Sequence, residues 1–210
     1  SADIPFLAHA NGDAAADLFI QALAKSLEGK RSKDHRSVMI HAQTVRDDQL
    51  DRMAEMNVIP SYFSAHTFYW GDWHRDSVLG LERGSRISPT ASSLAKGITF
   101  TVHNDAPIVP PDGMRLVWAT TNRITRSGQV LGPNERISVE EALKAVTVNA
   151  AYQYFEEDLK GTIEVGKQAD FVVLSANPLS VAKRNLLNIK VLQTIARGTT
   201  VFSLEDETAE

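Results

Sequence analysis

Short apolar runs and helix-periodic stretches take turns along the first half of the chain. "IPFLAHA" (4–10), "SVMIHA" (37–42), "NVIPSYFSAH" (57–66) and "ITFTVH" (98–103) are compact, β-branched or aromatic, and bounded by turn residues, as buried strands are. The first is followed by "GDAAADLFIQALAKSLEG", where Ala15, Leu18, Phe19, Ala22 and Leu23 trace a helical stripe that Gly29 can stop. After the second, Thr44 is placed to cap a helix with Leu50, Met53 and Ala54 on one face. "TFYWGDWHRD" reads as an aromatic loop, and Ser88 before Pro89 predicts a helix start for "SPTASSLAKG". Strand then helix, repeated through this region, is the pattern of parallel β/α units and hence an α/β fold. Such units close into a barrel or form a doubly wound sheet. A full barrel needs eight units and about 250 residues, and this chain holds half of them.

Beyond residue 130 the texture changes. "RISVEEALKAVTVNAAYQYF" places Ser138 and Glu141 at capping-box spacing and predicts one amphipathic helix with Val139, Ala142, Leu143 and Val146 on its buried face. From "GTIEVGKQADFVVLSANP" onward the pattern is strand and turn, ending in a predicted hairpin around Arg197 to Thr199. The boundaries are thus a β/α region over 1–160, a small β region over 161–204 and an acidic tail, 205–210, expected to be disordered.

Composition narrows the partners. A 210-residue chain that is 43% hydrophobic can bury a sizeable core. Net charge of −4, with no basic cluster longer than "KRSKDHR" (30–36), leaves no electrostatic footprint for nucleic acid. That run reads as a solvated loop with His35 exposed. No apolar run approaches the ~20 residues of a membrane helix. Zero cysteines exclude thiolate ligands and agree with a reducing, cytoplasmic setting, so any metal must be held by His, Asp or Glu. The opening "SADIPFLAHA", without an initiator Met, reads as the start of a fragment or processed product.

Histidine placement is the main chemical signal. His9, His41 and His103 sit at or beside the ends of strand-like runs, and His66 follows the third run closely. In a parallel β/α architecture those ends gather on one face, bringing four imidazoles and Asp105 together. Imidazole and carboxylate are the usual ligands of Zn²⁺, and a catalytic site leaves one position open for water. The metal lowers the pKa of that water to ~7 and a neighbouring carboxylate takes its proton, which is hydrolytic chemistry. A lone strand-end histidine is more often structural, but His9 and His41 at equivalent points of successive units favour ligation. His103 is open to three roles: ligand, support for a ligand, or substrate contact. Asp105, before Ala-Pro, is also good turn chemistry. Trp70, with Phe68, Tyr69 and Trp73, either lines a pocket or covers its mouth, and His74 either touches substrate or packs among these rings. Arg123 or Arg126 is a candidate pocket cation. Phosphate-cradling glycine motifs and the G-x-S-x-G elbow are absent.

"HANGDAAAD", "MIHAQ", "TVHNDAPI", "TRSGQVLGP", "RISVEEALKAVTVNAA" and "GTIEVGKQADFVVLSANP" together resemble the amidohydrolase superfamily, specifically its family 3, the YtcJ-like group similar to N-substituted formamide deformylases. The resemblance implies that His9 and His41 are metal ligands after strands 5 and 6 of a (β/α)8 barrel. It makes Asp105 the strand 8 carboxylate that contacts metal and serves as catalytic base. His66 becomes a substrate or transition-state contact; Trp70 and His103 are candidate substrate-binding residues beside it, although the resemblance itself leaves the roles of His103 and Asn104 open. The superfamily's strand 1 "HxH" pair and its strand 4 ligand have no counterpart in this sequence. The chain therefore resembles the C-terminal half of such an enzyme, strands 5 to 8 of the barrel plus the C-terminal strands of a small β-sandwich domain. The same resemblance implies a metal-dependent hydrolase of carbon–nitrogen, non-peptide bonds in amide-like small molecules, using one or two divalent ions, most simply zinc. This chain alone is expected to be inactive and to pair with the missing N-terminal half or with itself. The alternatives are a scaffold that keeps the fold without metal, and an isomerase or decarboxylase on the same ligands.

Overall fold

The computed structural model describes residues 6–28 and 34–207. Four strands, β1 (Leu7–Ala10), β2 (Val38–His41), β3 (Ile59–Tyr62) and β4 (Thr101–Val102), lie side by side in chain order in one parallel sheet. Helices α1 (Asp13–Ser26) and α2 (Asp47–Glu55) make the first two crossovers. The third runs through α3 (His66–Trp73), a π-helical turn (His74–Val78), α4 (Gly80–Gly84) and α5 (Thr90–Ala95). After β4 come α6 (Gly113–Asn122), α7 (Val139–Val146) and α8 (Val148–Gln153). Each strand-like run of the sequence thus becomes a parallel strand, and the strand-then-helix pattern is borne out.

Alternation along the strands sorts side chains onto two faces. Register pairs Ala8 with Met39, Ala10 with His41 and Tyr62 with Val102. Ala10, Met39, Tyr62 and Val102 all belong to the buried apolar core that the helices cover. The opposite face carries His9 beside Ile40, Ile40 beside Ser61, and Ser61 beside Thr101. That face is partly open: Leu7 and His9 are exposed and Ile40 is half-buried.

Several local expectations are corrected. Helix α1 buries Ala16, Phe19, Ile20 and Leu23, while Ala15, Leu18 and Ala22 face outward. The buried stripe is the i, i+3, i+4, i+7 set one residue along, because the larger side chains outweigh the alanines. Thr44 does not cap α2; the N-cap is Arg46, whose N–H is accepted by the Gln49 side chain at 2.9 Å. Ser88 has φ of +50° and Pro89 takes the N-cap position of α5. The carboxylate of Glu135, distant in sequence, accepts from Ser92 N–H at 2.9 Å and does the capping. Ser138 does cap α7, accepting from Glu141 N–H at 3.1 Å, but Glu141 turns to Lys144 (2.8 Å) and does not close the box. Thr147, at φ −127° and ψ −93°, divides the expected single helix into α7 and α8.

Two arginines read as solvent or pocket groups are structural. Arg36 is buried, stacked 3.8 Å from the Tyr152 ring centroid and 4.0 Å from that of Phe155, and held at 2.7 Å by Glu157. Beside it, His35 is half-buried, accepting from Ser37 N–H and donating to Met56 O at 2.7 Å. Residues 30–33 of the basic run, and Gly29, expected to stop α1, lie outside the described residues. Arg123 is 1% exposed and donates to the carbonyls of Leu131, Ser88 and Ile87. Burial pushes its guanidinium down to about 10, and its donors are spent on backbone.

A separate antiparallel sheet holds β5 (Phe171–Leu174), β6 (Val191–Ala196) and β7 (Thr199–Ser203). The predicted hairpin is present; Arg197 and Gly198 both have positive φ (51° and 79°), as a two-residue turn requires. Leu204–Glu207 adds one helical turn where a frayed tail was expected, and 208–210 lie outside the described residues. A 3-10 segment, Lys183–Asn188, ties this region to α6 through Asn122 Nδ2 donating to Lys183 O at 3.0 Å. Ile163, Val165, Val172 and Val201 are left exposed. No helix among the described residues is long and apolar enough to cross a membrane.

Candidate active site

At the C-terminal ends of β1 to β4 the imidazoles converge as the strand pattern predicts. Ring centroids of His41 lie 4.7 Å from His9, 5.1 Å from His103 and 6.1 Å from His66. His41 is the hub, and its position needs explanation. Strict alternation would send its side chain to the helix face with Met39. Its φ of +73°, followed by +46° at Ala42, breaks the extended run and turns the imidazole toward His9 and His103. Such a conformation costs a non-glycine residue about 1–3 kcal/mol and collects at functional sites. The bend is held by Ala42 N–H donating to Ala10 O at 3.1 Å and Thr44 N–H to Asn11 O at 3.2 Å.

Asp105 arrives in a similar way. The β4 ladder continues as His103 N–H bonds Tyr62 O at 3.0 Å, and Asp105 then takes φ of +56°. Its carbonyl accepts from Ile108 N–H at 2.8 Å, so the turn reading of Asp105 holds for its backbone. The carboxylate stays free of that turn and stands with Oδ2 4.0 Å from His41 Nε2. One ligand atom each from His41, His103 and Asp105 lie within 4.8 Å of one another. His9 touches the hub but stands outside that tight set, and its side chain is exposed.

Burial sets the protonation. It holds the buried His41 imidazole below its ordinary value, with Asp105 pulling upward and His9 downward. His103 is pushed down to about 4 by burial, then by His41. His66 is pushed to about 3, again by burial first, then by His74, His41 and His103. All three are therefore neutral near pH 7, the form that can ligate a cation or accept a proton. Two neutral imidazoles and a carboxylate are a donor set suited to a divalent ion such as Zn²⁺.

The aromatic segment is a helix, not a loop. His66 opens α3, and Phe63 (4.4 Å) and Trp70 (5.3 Å) pack against its ring. Trp70 is half-buried one turn along, so the helix presents His66 and Trp70 on one side. His74 follows, with Nε2 3.1 Å from Gln43 Nε2 and its ring 5.8 Å from His66. Arg126 lies over the Tyr69 ring at 5.3 Å. Asn104 steadies the loop after β4, its Oδ1 accepting from Asp112 N–H at 3.4 Å.

Sequence reasoning missed the polar layer beneath the histidines. Ser61 Oγ stands 2.9 Å from His103 Nδ1, and Thr101 Oγ1 lies 2.8 Å from both Ser61 Oγ and Gln153 Oε1. The i, i+2 relation of Thr101 to His103 was available as a signal. The register that brings Ser61 alongside, and the fold that brings Gln153, were not.

A parallel α/β sheet with neutral imidazoles and a carboxylate at the carboxyl ends of its strands is the layout of a metal-dependent hydrolase. Solved structures agree: an uncharacterized metal-dependent hydrolase from Pyrococcus horikoshii superposes with a TM-score of 0.71 at 26% identity, over 84% of this chain and 35% of that one. Its counterpart from Pyrococcus furiosus gives 0.68 at 30% identity, over 83% and 34%. A model of the amidohydrolase family matches residues 1–202, and the chain belongs to that family. Among curated relatives, the N-substituted formamide deformylase of Arthrobacter pascens is 27% identical, over 90% of this chain and 35% of that protein. The putative amidohydrolase YtcJ of Bacillus subtilis is 28% identical, over 92% and 36%. The chain thus spans about a third of the length of these relatives.

Proposed function

We propose that this chain is the C-terminal half of a metal-dependent hydrolase acting on carbon–nitrogen bonds of amide-like small molecules, N-substituted formamides in particular. The observation that carries the reading is His41: a buried, neutral imidazole swung out of its strand's alternation to meet His9, His103 and Asp105. His41, Asp105 and His9 would hold the cation, with His103 next to them. A divalent ion, most simply zinc, supplies Lewis acidity toward a carbonyl oxygen and toward water.

The chain's own residues supply the rest. Asp105, anchored through its backbone but free at its carboxylate, takes a proton from water at Oδ2 and returns it to the departing nitrogen. His66 is neutral, so it can offer one N–H to the substrate oxygen without introducing charge. Trp70 packs against the His66 ring, and His103 against that of Phe63, beside this position. The 1–160 region supplies strands 5 to 8 of a barrel and 161–204 the later strands of a small sandwich. The exposed Phe6 and Leu7, at the start of β1, and Val172 and Val201 on the second sheet, are then surfaces that an N-terminal half, or a second copy, would cover.

The test is an assay for formate or amine release from a panel of N-substituted formamides and amides. The full-length protein is expected to turn over at least one of them, to lose activity to a chelator and to regain it with zinc. The chain on its own is expected to stay at background, since the superfamily's strand 1 pair and strand 4 ligand have no counterpart in it. Turnover by the isolated chain near that of the full-length protein contradicts the half-barrel reading. A folded, full-length protein that takes up no metal contradicts the hydrolase reading.

A further inference from the structure

The segment after α6 sets an unpaired positive charge beside the site. Ile124 bridges Val130, Thr125 N–H bonds Gln129 O at 2.8 Å and Gly128 N–H bonds Thr125 O at 3.0 Å, which closes a tight turn over 125–128. The turn is pinned to α3 and the π-helical turn. Arg126 N–H donates to Phe68 O at 3.1 Å, Asp72 accepts from Ser127 N–H and Oγ–H at 3.0 and 2.7 Å, and Arg75 donates to Gln129 Oε1 at 2.8 Å. Gly71 permits the close approach, since a Cβ there would stand 2.9 Å from Thr125 Cγ2. Along this contact Arg75 is held by Asp76 at 2.6 Å and by Asp72 at 3.4 Å. The Arg126 guanidinium, by contrast, has no carboxylate or hydrogen-bond partner among the described residues. It is exposed and lies 5.3 Å from the Tyr69 ring centroid. Arg115 of α6 approaches the same ring at 6.0 Å while keeping Asp112 at 3.3 Å. From Tyr69 the rings lead inward, to Trp70 at 5.5 Å and from Trp70 to His66 at 5.3 Å. A guanidinium over a ring keeps its N–H fork for a planar anion, and a pinned turn holds that fork in place before the anion arrives.

We propose that Arg126, with Tyr69 and Trp70, forms an anion subsite that selects substrates carrying a carboxylate at the far end of a flat substituent on the scissile nitrogen. The inference rests on the hydrolase reading and narrows its substrate class. On a formamide the acyl side is a single hydrogen, so whatever reaches from the site to Arg126 is the nitrogen substituent. The half-buried faces of Tyr69 and Trp70 are the apolar track along which it lies. Arg126 and Arg115, less the charge of Asp112, leave one positive charge, which suits a carboxylate and would leave a phosphate dianion uncompensated. Because Arg126 is exposed, solvent screens the pair, and the preference it gives is ~5–10-fold and falls as salt rises.

The test uses the zinc-loaded full-length protein and a matched pair of compounds, N-phenethylformamide and its para-carboxylated counterpart. The carboxylated compound is expected to show ~5–10-fold the kcat/KM of the neutral one, mostly through KM, as a contact remote from the reacting bond does. In Arg126→Gln the ratio is expected to fall to about one, and in Arg126→Lys, which keeps the charge and loses the fork, to lie in between. Equal kcat/KM for the pair in the unaltered protein, or a preference that Arg126→Gln leaves in place, overturns the subsite while the hydrolase reading stands. If neither compound is turned over, calorimetric titration with each decides. Tighter binding of the carboxylated compound that is lost in Arg126→Gln keeps the subsite and overturns the hydrolase reading; equal binding of the two compounds overturns both.

Discussion

Asp105→Asn in the full-length protein is expected to lower kcat for formamide hydrolysis by ~10²–10⁴-fold, the span of a positioned general acid–base. The substitution keeps the size of the side chain, and the turn made by the Asp105 carbonyl to Ile108 N–H does not involve it. The substitution removes the ability to take a proton and return it and also weakens the carboxylate's hold on the cation, so the kinetics are read with zinc at saturation. If the carboxylate acts mainly in the reaction's transition state, kcat and kcat/KM fall together while KM stays near its starting value. Steady-state kinetics on a single formamide decide this. A variant that loses only KM would make Asp105 a substrate contact, and one that loses neither would remove it from the machinery.

Acid is expected to destabilise the chain through its buried histidines. Between pH 7 and pH 5, with a chelator present, the unfolding free energy should fall by about 2–4 kcal/mol. An unfolded histidine titrates near ~6.5, whereas burial holds His66 at about 3 and His103 at about 4. Over the interval between, the unfolded state binds protons that the folded state refuses, so stability is full above ~6.5 and is lost progressively as pH falls toward 4 and then 3. Each histidine contributes up to ~1.4 kcal/mol per pH unit inside its window. Denaturant titrations at several pH values measure the slope, and His66→Gln should remove about half of it. A flat profile would mean that these imidazoles are reached by water in the folded state.

The sequence carried the topology because the strands are short, apolar and separated by helix-length segments, and parallel pairing in chain order needs no further information. It carried the site's neighbourhood for the same reason, since strand ends in such a fold share one edge. It carried less where tertiary contacts decide local structure. The "TFYWGDWHRD" stretch is helical because Phe63, Trp70 and Trp118 pack its aromatic rings, against a composition that reads as loop. Arg36 and Arg123 are buried because Tyr152 and Phe155 receive the first and the carbonyls of Ser88 and Ile87 the second, all distant in sequence. Strand-end position and the family resemblance make His41 a candidate ligand; that its side chain leaves its strand's alternation is visible only in its backbone angles. His9 and His103 show the same limit. Their spacing from strand ends is alike, yet His103 lies in the tight set with His41 and Asp105 while His9, in ring contact with His41, stands outside that set and is exposed.

The most direct measurement is a calorimetric titration of the metal-free chain with zinc or cobalt(II), set beside His41→Ala. Uptake of ~1 divalent ion per chain is expected, accompanied by proton release that grows as pH is lowered toward the range where the histidines titrate. In His41→Ala the affinity should fall by at least ~100-fold, beyond what loss of a supporting partner costs. A chain that binds no ion, or one whose binding is untouched by His41→Ala, contradicts a cation site built around His41.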